Sequence, residues 1–270
     1  MIPKIAHFYW GEEKLPYLRY LTLKSFCQHN PDWAVNYYVP KHRSHTKTWP
    51  THEHQYELQG RDYTQCLAQL RIAIFEIDFA DIGVSNNFPE VHKSDFLRWN
   101  ILSNVGGLWS DMDILYFRPL GMDLHCSTYI CHNPSYGHSI GFLLACEKNP
   151  VYRLAAKMSG DNYDPKNYQA VGSVIMNRIN SQVYELDPAT RNIQMDIVYA
   201  YNALNINEIY SPRIEGACLR FTDKSIGIHW YAGHGLAGDF QNGKIRNCLL
   251  LDFLKKGGCD AEFYNSIGHS

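Results

Sequence analysis

Apolar positions recur along this chain with two periods, and their alternation predicts the fold class. Lys4–Trp10 is a short apolar run that stops at Gly11 and reads as a buried strand. Leu15–His29 carries Leu18, Leu21, Leu23 and Phe26 at helical spacing and ends at the breaker pair Asn30-Pro31. Trp33–Val39 is rich in strand formers and closes at Pro40, and Arg61–Ile77 reads as helical. The clearest helix is Ser94–Val105. Leu97, Ile101 and Val105 recur every fourth position, Ser94 stands as the cap, Asp95 lies in the first turn, and Gly106-Gly107 ends the pattern. Leu108-Trp109-Ser110 then forms a short strand that runs into Asp111-Met112-Asp113. Strand–helix–strand alternation of this kind predicts an α/β fold with a mainly parallel sheet and helices on both faces. Ligands of such sheets bind at the carboxyl ends of strands, where Asp111 and Asp113 fall.

The second half is less regular. Tyr129–His132 and Ser139–Cys146 read as strands, and Pro150–Met158, Tyr168–Asn180 and Ile193–Asn205 as helices. Ala217–Phe221 and Ser225–Trp230 are further strands, and residues 257–270 read as a weakly specified tail. With no repeat, low-complexity tract or linker, residues 1–270 read as a single domain.

Composition narrows the function classes. Apolar residues make up 45% of the 270 and charged residues 19%, which suits an ordinary globular core. The net charge of −2 provides no basic field for nonspecific nucleic-acid binding, so a DNA or RNA partner is not favoured. A local exception is the basic, His-rich stretch Lys41–Lys47 with His52 and His54, which would suit an anionic acceptor. The amino terminus has no basic stretch followed by an apolar run, and the apolar runs Ile140–Cys146 and Leu249–Leu254 are too short to span a bilayer. The expected location is cytoplasmic, with any membrane association peripheral. The eight cysteines include no CxxC pair, consistent with reduced thiols.

The Asp-x-Asp triplet carries little weight alone, because sixteen aspartates produce roughly one such triplet by chance. Its setting carries more. Asp95 and Arg98 share one face of the helix that precedes it. Two aspartates at spacing two in an extended segment point to the same side, as hard cations such as Mn²⁺ or Mg²⁺ prefer. So few carboxylates leave room for phosphate oxygens, which suits a metal–diphosphate substrate.

Ser94-Asp95-Phe96-Leu97-Arg98, followed by Gly106-Gly107-Leu108-Trp109-Ser110-Asp111-Met112-Asp113, resembles the signature of the DXD-motif glycosyltransferases. That family includes fungal initiating mannosyltransferases and the catalytic domains of large clostridial glucosylating toxins. The opening Ile2-Pro3-Lys4-Ile5, His7-Phe8-Tyr9-Trp10-Gly11, Leu15-Pro16 and Asn30-Pro31-Asp32-Trp33 is similar to the family's amino-terminal block. The resemblance covers roughly residues 1–120 well. It implies a GT-A fold with a nucleotide-sugar half (1–120) and an acceptor half with a closing loop (121–256). It also implies a nucleoside diphosphate sugar donor, UDP-linked before GDP-linked, and transfer of a hexose with retention. By resemblance, Asp95, Arg98, Asp111 and Asp113 are the catalytic set, with Asp113 the metal ligand. Trp10 would stack on the base and Trp109 would lie near the nucleotide. Ile228-His229-Trp230-Tyr231-Ala232-Gly233-His234-Gly235 resembles a late His-containing loop, with His229 a metal ligand and His234 a diphosphate contact. It departs from relatives in lacking their Ser-Trp or Lys-Pro-Trp ending. Gly172-Ser173 and Asn177 fall where relatives place acceptor-side residues. The acceptor itself stays open among a glycan, a lipid-linked sugar and a protein side chain, with modified nucleic acid as an alternative. A non-catalytic sugar or nucleotide binding module and a metal phosphohydrolase are the competing readings.

Overall fold

The computed structural model describes residues 1–44, 46, 61–161, 163–202, 204–212 and 220–256. A seven-stranded sheet runs in the order β3-β2-β1-β4-β7-β6-β8. Its first half is parallel: β1 (Ile5–Tyr9), β2 (Ala34–Pro40), β3 (Ala73–Ile77) and β4 (Gly107–Ser110). The hairpin of β6 (Thr128–Asn133) and β7 (Gly137–Ala145) joins antiparallel through β7, and β8 (Arg191–Asn192) closes the far edge. β1 lies between β2 and β4, so both its neighbours exclude water and its residues from Ala6 to Tyr9 are buried. His7 survives there because Tyr38 Oη and the Gly106 carbonyl, each 3.0 Å away, take its two ring nitrogens. Burial pushes its pKa down to about 4 despite the Gly106 bond, so the ring stays neutral.

The helix that sequence periodicity places at Arg61–Ile77 is not formed. The segment divides into a 3-10 turn at Thr64–Gln69 and the strand β3. β3 pairs along the whole of β2's free edge, from Asn36 opposite Ala73 to Pro40 opposite Ile77. Ladder bonds on an open edge override the local period of a short Ala-Ile-Phe-Glu-Ile run.

α1 (Tyr17–His29) follows β1 as expected and buries Leu18, Leu21, Leu23 and Phe26. α2 (Glu90–Asn104) starts earlier than the sequence signal, after Pro89, so Ser94 lies inside it rather than capping it. Proline's fixed φ suits a helix entry, which explains the early start. The glycine pair ends α2 as expected, with φ of 73° at Gly106 and 95° at Gly107. Gly107 has a second reason to be glycine: a Cβ there would lie 2.4 Å from the Ile5 carbonyl oxygen. The pair thus turns the chain and lets β4 enter beside β1.

α3 (Pro150–Asp161) agrees with expectation, whereas α4 occupies only Ser173–Ile179 of the longer helix read at Tyr168–Asn180. No α-helix forms among the described residues of Ile193–Asn205. A 3-10 turn at Met195–Ile197 leads into backbone whose carbonyls are claimed from outside. Ile197 O accepts from Ile226 N at 2.9 Å and Val198 O from His229 N at 2.8 Å. Those acceptors serve β9 (Gly227–His229), which pairs antiparallel with β5 (Ile114–Tyr116), Ile114 opposite His229. Trp230 N extends this small ladder to the Asp113 carbonyl at 2.9 Å. It is this second sheet that carries the late loop to the Asp-x-Asp turn. Most of the strand read at Ala217–Phe221, the tail 257–270, and His45, Lys47, His52 and His54 lie outside the described residues.

Candidate functional site

The site forms where α2, the tip of β4 and the β9 loop meet. Asp95 and Arg98 sit one turn apart on α2, both buried. Arg98 Nη1 donates to Asp95 Oδ1 at 2.7 Å, and Nη2 crosses to β4's tip and donates to Asp111 Oδ1 at 2.8 Å. Trp109, buried within β4, donates its Nε1–H to the same Asp111 oxygen at 2.9 Å. The indole therefore lies beneath the Asp-x-Asp turn and holds Asp111 rather than offering a face to a nucleotide. One guanidinium serving two carboxylates leaves the trio negative. Burial, with the Asp111 charge added, outweighs the attraction of Arg98 and raises the Asp95 pKa to about 7.

Two glycines shape the walls. A Cβ at Gly172 would meet Asp95 Oδ2 at 2.8 Å, and one at Gly141 would meet Asp111 Oδ2 at 2.6 Å. Gly141 also fixes the turn through its backbone, accepting from Asp111 N at 2.7 Å.

Two positions on, Asp113 faces the β9 loop. Its Oδ1 lies 3.1 Å from His229 Nε2, and its Oδ2 accepts from Ala232 N at 3.1 Å. Burial alone would raise its pKa. The His229 ring, the Arg19 charge and the Ala232 N–H together hold it well below the usual carboxylate range. Arg19, on α1 and buried, lies 4.6 Å from the Trp10 ring centroid and 5.0 Å from that of Trp230. It links the end of β1 to the β9 loop. Trp10 is half-buried and donates Nε1–H to the Lys14 carbonyl at 2.9 Å.

The remaining sequence candidates are also placed. His234 caps α5 (Gly235–Gln241), its Nδ1 accepting from Leu236 N at 3.3 Å. Ser173 follows Gly172 beside Asp95 and donates to Gln169 Oε1 at 2.8 Å. Asn177, one turn further along α4, accepts from His138 N at 3.0 Å and props the β6–β7 hairpin. Lys41, His42 and Arg43 of the basic stretch line a cavity of about 490 Å³ with Glu12, Glu13 and Ser44, at the carboxyl ends of β1 and β2.

Buried polar atoms without a protein partner gather here. Among the described residues they include Arg98 Nε, Tyr199 Oη, His229 Nδ1 and Trp230 Nε1, with His138 Nδ1 and Thr190 Oγ1 elsewhere. Native interiors rarely leave such atoms unpaired unless a ligand or water completes them. A divalent cation also fits Asp113 and His229. A carboxylate oxygen and an imidazole nitrogen 3.1 Å apart have the spacing of neighbouring ligands around one ion with bonds of roughly 2.1 Å. No three His, Cys, Asp or Glu residues converge among the described residues, so further ligands would come from a bound molecule or water.

Arg19, Gly141 and Tyr199 belong to the site and carried no signal in the sequence. Each acts through a contact between segments distant along the chain, and none sits in a motif.

No protein-family model and no curated protein matches the sequence. Solved structures do match in three dimensions. The PaToxG glycosyltransferase superposes with a TM-score of 0.51 at 15% identity, covering 70% of this chain and 76% of that one. The bifunctional glycosyltransferase WbbM gives 0.51 at 10% identity, with all of this chain on 52% of its own length. The galactosyltransferase LgtC, solved with donor and acceptor sugar analogues, gives 0.44 at 13% identity, covering 90% and 96%. No helix among the described residues is long and apolar enough to cross a membrane. The mixed α/β sheet with its parallel β3-β2-β1-β4 half, the Asp-x-Asp turn at the tip of β4 and the superpositions on PaToxG and WbbM show that the chain has the GT-A fold.

Proposed function

We propose that the protein is a metal-dependent enzyme that transfers a hexose from a nucleoside diphosphate sugar to an acceptor hydroxyl, with retention of configuration. The observation that carries this reading is the ring of unpartnered buried polar atoms around two carboxylates and an imidazole. Asp113 and His229 would hold Mn²⁺ or Mg²⁺. Once bound, that ion neutralises charge on the departing diphosphate and orients it.

The chain's own residues supply the remainder. Arg98 commits both terminal nitrogens to carboxylates, so its main work is to fix Asp95 and Asp111 in place for hydroxyl groups of the donor. Its Nε, buried with no protein partner among the described residues, is left to meet a ligand. Trp109 acts through Asp111. Trp10, backed by Arg19 at the end of β1, would offer its ring for a base, uracil before guanine, to stack on. His234 stands at the closing loop, and Ser173 and Asn177 mark the acceptor side. A glycan, a lipid-linked sugar or a protein side chain is the favoured acceptor, and the single-domain division at about residue 120 goes with this reading.

The test is nucleotide release from UDP-glucose, UDP-galactose, UDP-N-acetylglucosamine and GDP-mannose, with and without Mn²⁺. Release from at least one donor only when metal is present supports the proposal. Binding without release would make the chain a binding module. Phosphate release from simple phosphate esters, with no sugar nucleotide consumed, would make it a phosphohydrolase.

A further inference from the structure

Tyr231 has a φ of 51°, in the left-handed region that a bulky side chain normally avoids. Among the described non-glycine residues only the exposed Lys148 shares a positive φ. Such a conformation persists where the surroundings impose it from several sides, and here they do. Trp230 N donates to the Asp113 carbonyl at 2.9 Å, Ala232 N to Asp113 Oδ2 at 3.1 Å, and His234 N to the Tyr231 carbonyl at 2.9 Å. Tyr210 Oη donates to the Trp230 carbonyl. The Tyr231 side chain, half-buried, adds its own anchor by donating Oη–H to the Tyr201 carbonyl at 2.8 Å. The left-handed residue thus stands between two amides that both grip Asp113, one at its backbone and one at its carboxylate. With Oδ2 taken, Oδ1 is the oxygen that faces His229 Nε2.

His229 needs a constraint of its own. A metal-binding imidazole is commonly oriented by a hydrogen bond at its other nitrogen. His229 Nδ1 is buried and has no protein partner among the described residues. Tyrosine rings lie against the imidazole instead. Tyr231 meets it edge-on, with centroids 4.1 Å apart at 72°, and Tyr199 lies farther off at 5.1 Å.

We propose that Tyr231 is a positioning residue of the cation site. Its ring orients the His229 imidazole in place of the usual hydrogen bond, and its left-handed backbone aims the flanking amides at Asp113. This inference rests on the proposed cation at Asp113 and His229, and it names what presents those two ligands together. It also accounts for tyrosine at a position where glycine would be free of strain.

Tyr231→Gly separates the ring from the backbone. Glycine adopts φ near 51° freely, so both bonds to Asp113 should persist and the melting temperature should stay within a few degrees of the parent chain. Mn²⁺ binding in the presence of UDP, read from the electron paramagnetic resonance of the free ion, should weaken about tenfold, the size of one lost aromatic edge contact. Tyr231→Phe keeps the ring and gives up one neutral hydrogen bond, so it should bind Mn²⁺ within about threefold of the parent chain. Tyr231→Asn tolerates the same backbone conformation without the ring. It should match the glycine variant, and it stands in for that variant if glycine does not fold. Parent-like Mn²⁺ affinity in the variants that lack the ring makes Tyr231 merely structural, whatever their melting temperatures, and overturns this inference alone. An equal loss in Tyr231→Phe and Tyr231→Gly also overturns it, since the ring would then do nothing for His229. If the parent chain binds no Mn²⁺, with or without UDP, the cation reading fails and this inference with it.

Discussion

Arg98 and Asp111, thirteen residues apart, meet at 2.8 Å between α2 and the tip of β4, while the same guanidinium holds Asp95 at 2.7 Å. One buried cation therefore anchors two carboxylates from different elements. Arg98→Met would leave both facing each other without it. Breaking a buried pair on one side costs about 3–5 kcal/mol, because the remaining charge stays desolvated. Urea unfolding should show a loss of that size. Arg98→Lys restores the charge but cannot fork between two oxygens, so it should recover only part of the stability and little donor turnover.

Asp95 makes the fold sensitive to pH in an unusual direction. Its pKa rises on folding, to about 7, chiefly through burial. Between about pH 4 and 7 the folded state therefore binds more protons at this group than the unfolded chain does. Its contribution to stability is complete below about pH 4 and is lost as pH rises through 7. The slope is at most about 1.4 kcal/mol per pH unit. His7 and His138 act oppositely. Burial pushes both down to about 4, so they favour the fold more as pH rises from 4 towards 6.5. Comparison with Asp95→Asn separates the two effects. The variant should gain on the parent chain from pH 5 to about 7 in chemical unfolding and level off by pH 8. A constant difference between the two across that range would contradict the assignment.

The portions of this architecture that were legible in sequence are those where local signals and tertiary packing agree. β1, α1, β2, the end of α2, and β4 all follow from apolar spacing and from breakers such as Asn30-Pro31 and Gly106-Gly107. Ala73–Ile77 misleads because its pairing partner, β2, lies more than thirty residues earlier. Tyr199 misleads similarly: it sits in a run with helical spacing, yet the β9 strand takes the neighbouring carbonyls. The carboxylates of the proposed site were legible through a motif, and Gly172 through the acceptor-side match, whereas Gly141 was not, since it matters only for what stands opposite.

Asp113→Asn tests the proposed cation directly. Asparagine can still accept from Ala232 N, so the β9 loop should stay in place. It cannot supply the charge that a hard divalent ion needs. Mn²⁺ should raise the melting temperature of the parent chain and leave that of the variant unmoved. Turnover at saturating donor should fall by a hundredfold or more, on the order of the several kcal/mol a metal contributes to charge stabilisation.

Arg19 holds the two ends of the site together, its guanidinium near the rings of both Trp10 and Trp230. Buried contacts of this kind are each worth about 1–2 kcal/mol. Arg19→Leu keeps most of the volume and should cost a comparable amount by thermal or urea unfolding. Its larger effect should be on nucleotide affinity, because Trp10 loses its backing and the loop bearing His229 loses its tie to α1. Titration of intrinsic tryptophan fluorescence with UDP should show a weaker Kd in Arg19→Leu and an intermediate one in Arg19→Lys.

Gly172→Ala should harm activity far more than stability. The added methyl would sit 2.8 Å from Asp95 Oδ2 and 2.9 Å from Ile140 Cδ1, closer than real side chains approach. Ile140 is half-buried and can rotate away at modest cost. Asp95 cannot yield so freely, since its other oxygen is bound to Arg98. The carboxylate must then turn about that bond and carry its free oxygen away from the donor. A displacement near 1 Å at a positioning group lowers rates by about a hundredfold. The expected result is a kcat reduced by that order, with a melting temperature within a few degrees of the parent chain. Normal kcat in Gly172→Ala would show that Asp95 Oδ2 does not touch the donor.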